Sequence, residues 1–288
     1  MFTLSPSGLL ARKKVRSQDY VGYDPTFISR YIMQAAVLET YQQHMGIKRL
    51  KVLDVGGSGS IITQFIDVDL TILDILPNRQ KLPNYIRGSA LEMPLPDNSF
   101  DVVISCDVLE HIPKESRKKF LMESARVTRD LLITAAPFDL EGVRAAEISA
   151  NDFYKKLTGK DHIWLLEHLQ DALPDIHEAH HALRSSGMHV GHFSHTSLQN
   201  WQLVTRAGFF LEQERLDDKD PDFVEHIRAL NSHYLDHLMA YDFSETGYRT
   251  FLLASKQHEL DIKREKDVFD PLLTPIYQSL TDAILPLL

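Results

Sequence analysis

Two carboxylates, Asp54 and Asp74, stand twenty residues apart, each at the end of a short apolar run. The turn after the first one, VGGSGS, contains Gly56, Gly57 and Gly59. Glycine lets a backbone turn sharply and pass close to a ligand. In open α/β sheets ligands bind beyond the carboxyl ends of the strands, where an acid after the second strand accepts hydrogen bonds from ribose hydroxyls. The pattern therefore predicts a nucleotide-binding site.

The elements that must position these acids are apolar strands separated by helical patterns. We expect strands at 50–55, 70–74, 85–87, 100–105, 131–135, 209–215 and 248–255. Such alternation indicates parallel pairing through right-handed crossovers. The predicted fold class is α/β, with a doubly wound, seven-stranded, mostly parallel sheet and an antiparallel strand near one edge.

The helical patterns set the expected domain organisation. Residues 1–48 comprise a loose arm, up to residue 23, and a helix that Asp24 caps and Gly46 ends. Residues 49–256 form the α/β domain, with a helical lid inserted at about 138–195, and 257–288 form a helical tail. Further helices are expected at 60–66, 114–129, 198–206 and 222–241.

Composition excludes several classes of function. The formal net charge of −9 opposes a nucleic-acid partner, because phosphate binding needs a basic face. The single cysteine, Cys106, excludes an internal disulfide and suits a reducing compartment. The N-terminal region lacks the apolar core of a signal peptide, and no apolar run approaches the ~20 residues that span a bilayer. We therefore expect a cytoplasmic protein that is not integral to a membrane.

The chain contains four motifs in order, VLDVGGSGS, LTILDI, GSALEMPLPDNSFDVVISCDVLEHIP and LLITAAP. Together they resemble the class I S-adenosylmethionine-dependent methyltransferases, and they are most similar to the branch with the LPFPDNSFD and LEH pattern. The resemblance is strong over about residues 50–137 and weaker over 196–256. It implies a Rossmann-like methyltransferase domain at 49–256, S-adenosylmethionine as cofactor, and methyl transfer as the reaction.

The resemblance also implies residue roles at the cofactor site. The cofactor-binding residues would be Asp54, Gly56, Gly57, Gly59, Asp74, Ser89, Ala90 and Cys106. Asp74 matches the acid that binds the ribose, and Ser89 and Ala90 match the segment that flanks the adenine. The usual second glycine of the first motif aligns with Ser58, and Ser89 replaces an acid that often caps the adenine amino group.

The segment after the fourth strand carries the candidate catalytic residues. We predict that Asp107 and His111 are catalytic, because an oxygen or nitrogen nucleophile can need a base to remove its proton. His111 could equally be a hydrogen-bonding residue of the core. Cys106 is more simply explained as a small buried hydrophobe than as a nucleophile.

The expected lid is rich in histidine. His177 and His181 have the i, i+4 spacing of a metal-binding pair, but the sequence HEAHH lacks the HExxH arrangement. We therefore predict no metal site and interpret these residues as an exposed helix face. His162, Trp164 and His168 could wall an acceptor pocket, although an ordinary amphipathic lid helix explains them equally well.

The expected acceptor is a small molecule, a saccharide or a lipid-like compound. The apolar face of the tail could pack either on its own domain or on a second copy in a homodimer. Two other interpretations stay open. One is a nicotinamide-dependent oxidoreductase, although the third glycine of that fingerprint is missing after Gly59. The other is a non-catalytic binding protein that retains the cofactor fold.

Overall fold

A computed structural model describes residues 1–5, 16–20, 23–211 and 221–263. The described strands are β1 (Phe2–Leu4), β2 (Lys51–Val55), β3 (Asp69–Asp74), β4 (Tyr85–Arg87), β5 (Phe100–Cys106), β6 (Thr128–Ala136), β7 (His189–Ser197), β8 (Phe243–Ser244), β9 (Gly247–Ser255) and β10 (Leu260–Ile262). The described α-helices are α1 (Pro25–Met45), α2 (Lys114–Val127), α3 (Val143–Thr158), α4 (Ile163–Asp171), α5 (Ile176–Ser185), α6 (Leu198–Leu211) and α7 (Pro221–His233).

The central sheet confirms the predicted α/β class. Its order is β4-β3-β2-β5-β6-β9-β7-β8, with parallel pairing from β4 to β6 and antiparallel pairing of β9 with both of its neighbours. The sheet has eight strands rather than seven, because the two-residue strand β8 pairs with β7. The ends of β2, β3 and β5 therefore meet at one edge, as ligand binding in this fold class requires.

Apolar side chains cover both faces of the sheet. Val52 packs into a cluster with α1, whereas its neighbour Leu53 packs into a second cluster with α2 and α5. Successive side chains of a strand point to opposite faces, so continuous apolar runs are expected where both faces are buried. A third cluster joins α3, α4, α6 and α7 at the side of the expected lid.

The N-terminal helix begins and ends as predicted. The side chain of Asp24 accepts hydrogen bonds from the amides of Thr26 at 2.6 Å and Phe27 at 3.1 Å, and Pro25 occupies the first helical position. Gly46 adopts φ +65° after the last turn. These contacts satisfy backbone groups that a helix leaves unpaired at its ends. The caps define both ends of α1, and its buried side chains pack in the first cluster against the sheet.

Three local predictions are wrong. The helix expected at 60–66 is a single 3₁₀ turn, Ile62–Gln64, because the glycine turn occupies much of the short connection between β2 and β3. The strand expected at 209–215 is helical as far as Leu211, and residues 212–220 lie outside the described ranges. The structure instead has strand β7 in a segment expected to be helical. Its pairing with β9 overrides the local helix preference.

The ends of the described chain lie together. The arm expected to be loose begins with β1, in which Phe2 and Leu4 are buried, and β1 pairs in parallel with β10. Local patterns could not predict this partner, because it lies 258 residues away in the sequence, as Phe2 pairs with Leu260. The apolar part of the predicted tail falls within residues 264–288, outside the described residues. No helix in the described part of the chain is long and apolar enough to cross a membrane.

Candidate active site

The glycine turn after β2 folds back over Asp54. Gly56 has φ +79°, and a Cβ atom there would lie 2.3 Å from Cγ2 of Val108. A Cβ atom at Gly57 would lie 2.5 Å from Cγ of Asp54. At Gly59, by contrast, no described atom lies within 4 Å of the corresponding position. Only glycine therefore fits the first two positions, while the third faces open space.

Asp54 is a buried carboxylate with an unused acceptor. Its side chain is 3% exposed, and Oδ2 has no hydrogen-bond partner among the described residues. Burial raises the pKa of Asp54 to about 6, against the opposing effects of the Ser60 hydroxyl and Arg30. A buried polar atom without a partner is costly, so its retention indicates a ligand donor such as an amine or a hydroxyl.

Asp74 is held at the end of β3 by backbone amides. Oδ2 accepts a hydrogen bond from the amide of Ser58 at 3.1 Å, and Oδ1 accepts one from the amide of Leu76 at 2.9 Å. Each carboxylate oxygen still has a lone pair for a further donor. The next two side chains, Ile75 and Leu76, are 66% and 54% exposed. An oriented acid beside exposed apolar groups suits a nucleoside, with its hydroxyls and flat base.

The segment expected near the adenine follows β4. The amide of Gly88 donates to the carbonyl oxygen of Asp74 at 2.9 Å, which ties this segment to the end of β3. Ser89 is exposed, and its hydroxyl oxygen accepts a hydrogen bond from the amide of Leu91 at 3.1 Å. The hydroxyl proton of Ser89 is left to donate to a ligand acceptor. Ala90 is half-buried beside it.

Two arginines bind Asp107 beyond the end of β5. Arg249 of β9 binds both carboxylate oxygens, with Nε 2.7 Å from Oδ1 and Nη2 2.6 Å from Oδ2. Nη1 of Arg30, on α1, lies 2.7 Å from Oδ2. Burial alone would raise the pKa of Asp107, but the two guanidinium groups, that of Arg249 above all, hold it well below its usual range. The geometry favours a permanently ionised anchor over a proton acceptor.

The preceding residue, Cys106, is half-buried, and its Sγ lies 3.7 Å from Oδ1 of Asp107. Burial, and then the neighbouring Asp107 charge, raise the pKa of the Cys106 thiol well above its ordinary value. A protonated thiol is a poor nucleophile, because the thiolate is the reactive form.

A second polar cluster lies on the short helical turn Leu109–His111 and on the expected lid. Nδ1 of His111 is 3.1 Å from Oε2 of Glu167, and Nδ1 of His168 is 2.9 Å from Oε1 of Glu147. The two imidazole rings lie 4.8 Å apart, and Trp164 packs 5.2 Å from His111. Burial, and then the neighbouring His168, lower the pKa of His111, which favours the neutral imidazole. The structure thus brings two predicted pocket residues, His168 and Trp164, to the predicted catalytic histidine.

The other histidines of the insert lie elsewhere. His162 packs among aromatic rings, 4.9 Å from both Tyr154 and Phe209. His177 and His181 are exposed, as predicted for this helix face, and Nε2 of His180 on α5 lies 2.9 Å from Nδ1 of His192.

Sequence reasoning did not identify several residues of the site. Arg249 could have been found, because a charged residue inside the apolar strand GYRTFLLAS needs a buried partner. Arg30 and Glu147 lie among other polar residues on amphipathic helices, so the local sequence does not single them out as site residues. Arg117 was also missed; it donates from Nη2 to the carbonyl oxygen of Ala172 at 2.6 Å, which ties α2 to the segment after α4.

Part of the chain that forms this site is similar in sequence to known proteins. Residues 53–131 match the family model described as a methyltransferase domain. An uncharacterized methyltransferase from Mycobacteroides abscessus is 30% identical over 110 residues, which cover 32% of this chain and 42% of that protein. A Mycobacterium tuberculosis protein, named as a probable S-adenosylmethionine-dependent methyltransferase, is 29% identical over 100 residues, or 34% of this chain and 36% of the relative.

The chain thus matches less than half the length of these curated relatives. A solved S-adenosylmethionine-dependent methyltransferase from Archaeoglobus fulgidus has a TM-score of 0.45 and 17% identity, covering 78% of this chain and 94% of that one. The matched segment, residues 53–131, contains the glycine turn, Asp74 and Asp107. Residues 53–131 are therefore similar to a methyltransferase domain, and the two curated relatives are named as methyltransferases.

Proposed function

We propose that this protein transfers the methyl group of S-adenosylmethionine to a small-molecule, saccharide or lipid-like acceptor. The observation that carries the proposal is the pair of buried carboxylates, Asp54 and Asp74, beside a turn in which Gly56 and Gly57 leave no room for a side chain. The unpaired Oδ2 of Asp54 and the oriented carboxylate of Asp74 provide the acceptors that an adenosyl amino acid needs.

The residues of this site fit that cofactor. Asp74 would accept hydrogen bonds from the ribose hydroxyls, Asp54 would accept one from a donor on the amino-acid side, and Ser89 and Ala90 would flank the base. When bound, S-adenosylmethionine supplies a methyl group already activated by its sulfonium. What the chain must add is alignment, and holding two reactants in near-attack geometry can contribute about 7–11 kcal/mol.

We place the acceptor beside Asp107, next to the cluster of His111 and His168. Asp107 would act there through its charge, because Arg30 and Arg249 keep it ionised. Asp107 would in turn hold Arg30 near the acceptor. His111 remains the candidate base, since its lowered pKa leaves the imidazole neutral and able to take a proton. The acidic net charge of −9 supports an acceptor other than nucleic acid.

Two further proposals concern the protein as a whole. We propose a reducing, cytoplasmic location, which is supported by one cysteine in the sequence. We also propose a homodimer through the tail, which light scattering coupled to gel filtration tests directly. A monomer at micromolar concentration would contradict the second proposal.

Calorimetry of cofactor binding tests the main proposal. We expect wild type to bind S-adenosylmethionine and S-adenosylhomocysteine, and Asp74→Ala to lose about 1–3 kcal/mol of binding free energy, as a charged hydrogen-bond acceptor is removed. Asp69→Ala is the matched control, because Asp69 is the exposed acid at the other end of β3. Binding of NAD instead would favour an oxidoreductase. Cofactor binding without turnover on any acceptor would favour a non-catalytic protein.

A further inference from the structure

Three side chains converge where the turn after β5 meets the lid. One candidate ligand atom from each of Glu110, His111 and His168 lies within 4.8 Å of those from the other two. Glu110 is 2% exposed and His168 is 4% exposed. These residues belong to different segments, so the fold itself assembles the group.

The cluster contains buried polar atoms that nothing in the described chain satisfies. Oε2 of Glu110 and Nε2 of His168 have no hydrogen-bond partner there. Buried side-chain polar atoms are nearly always paired, so two unpaired ones in a single cluster call for an explanation. A cation bound between them would supply the missing partner to both.

The outer contacts orient both imidazoles as metal ligands are oriented. Nδ1 of His168 faces Glu147 and Nδ1 of His111 faces Glu167, at 2.9 Å and 3.1 Å. A carboxylate on one ring nitrogen fixes the tautomer and leaves Nε2 as a lone-pair donor. The hydroxyl of Tyr248 also donates to Oε1 of Glu147, at 3.0 Å.

We propose that Glu110, His111 and His168 form a binding site for one divalent transition-metal ion such as Zn²⁺. Two imidazoles and one carboxylate are a known ligand set of metal sites in which the protein supplies three ligands and one coordination position stays open. Tetrahedral bonds of about 2.0–2.1 Å place ligand atoms about 3.4 Å apart. The 4.8 Å limit in this structure is about 1.4 Å longer, so the three side chains would move closer together to bind an ion.

The open position has a role that rests on the proposed methyl transfer, and it replaces the role of His111 as the base, because a metal-bound imidazole with Nδ1 on Glu167 has no nitrogen left to take a proton. It would bind the oxygen of a hydroxyl-bearing acceptor, whose proton passes to solvent because a bound cation lowers the hydroxyl pKa. The oxygen then bonds to the methyl carbon while the carbon–sulfur bond breaks, and the sulfonium leaves as a neutral thioether. Trp164, 56% exposed and packed on His111, would lie at the entrance.

Metal binding can be measured without cofactor or turnover. The purified protein is stripped with a chelator, titrated with Co²⁺ as a spectroscopic probe and then with Zn²⁺, and its retained metal is counted after gel filtration. We expect about one ion per chain, visible d–d absorption, and an affinity at least about 100-fold lower in Glu110→Gln and His168→Gln.

His180→Gln is the matched control, because His180 and His192 form an exposed pair that could bind metal adventitiously. Its Co²⁺ spectrum and affinity should equal those of wild type. Circular dichroism checks that each variant folds. If Glu110→Gln or His168→Gln does not fold, His111→Asn replaces it, because His111 is a part-exposed ligand. Loss of the ion in His180→Gln but not in Glu110→Gln, or no stoichiometric binding by wild type, overturns the metal site. Metal binding with no affinity for S-adenosylmethionine leaves the metal site intact and overturns its role in methyl transfer.

Discussion

The arginine pair on Asp107 gives the most demanding test of the site. Arg249 is 3% exposed and makes two hydrogen bonds to Asp107, at 2.6 and 2.7 Å. Removing one partner of a buried ion pair typically costs about 3–5 kcal/mol. Arg30 still contacts Asp107 in Arg249→Met, so we expect a loss of unfolding free energy near the lower end, about 3 kcal/mol.

Urea unfolding followed by circular dichroism measures this loss, and thermal unfolding should show a melting temperature about 6–12 °C lower. Arg249→Lys keeps the charge but loses the two-pronged contact, so it should cost about 1.5 kcal/mol, the value of one charged hydrogen bond. Arg129→Met is the control, because Arg129 pairs with Asp101 at the surface, where such pairs are worth about 0–1 kcal/mol.

The same variants predict a change in pH dependence. The pKa of Asp107 is depressed in the folded protein, so its stabilising contribution is present above the unfolded pKa and is lost as pH falls through the folded pKa. In Arg249→Met the folded pKa rises towards the unfolded one, so the acid loss of stability that Asp107 contributes should be smaller and should be complete at a higher pH. Equal unfolding free energies for Arg249→Met and Arg129→Met would refute the buried-pair reasoning.

Two further predictions concern the glycine turn and its acid. Gly57→Ala should cost about 1–3 kcal/mol in urea unfolding and weaken S-adenosylmethionine binding, because its Cβ would overlap Asp54, whereas Gly59→Ala should be neutral; equal effects would contradict this. The pKa of Asp54 is raised from 3.8 to about 6, so unfolding free energy of the ligand-free protein should rise as pH falls from 6 to 4. Asp54→Asn should remove that part of the rise, and an unchanged pH profile would count against the assignment.

The sequence predicted what depends on local pattern. Apolar runs ending in Asp54 and Asp74 defined β2 and β3, and the Asp24 cap defined the start of α1. Strand β7 was missed because its histidines and serines carry little strand signal, and its pairing with β9 stabilises it. Gly208, which falls between the helix expected at 198–206 and the strand expected at 209–215, lies inside α6, where a Cβ would come within 3.1 Å of Asp24.

The site shows the same division between local and distant information. The sequence predicted the acids and His111 as candidates, since each lies at or soon after the end of a predicted strand. It could not show that Arg249, 142 residues from Asp107, would lie against that carboxylate. Nor could it show that Glu147 and Glu167 would each face a histidine, because helix periodicity does not determine how an insert docks on the sheet.

The pairing of β1 with β10 has a consequence for synthesis. The backbone amide of Phe2 donates a hydrogen bond to the carbonyl oxygen of Glu259 at 2.7 Å. Strand β1 therefore stays without its partner until residues near 260 have left the ribosome. At about 5–20 residues per second this interval lasts roughly 13–50 s. During that time a nascent chain presents Phe2 and Leu4 to water or to a chaperone, and stalled translation before residue 260 would leave them exposed.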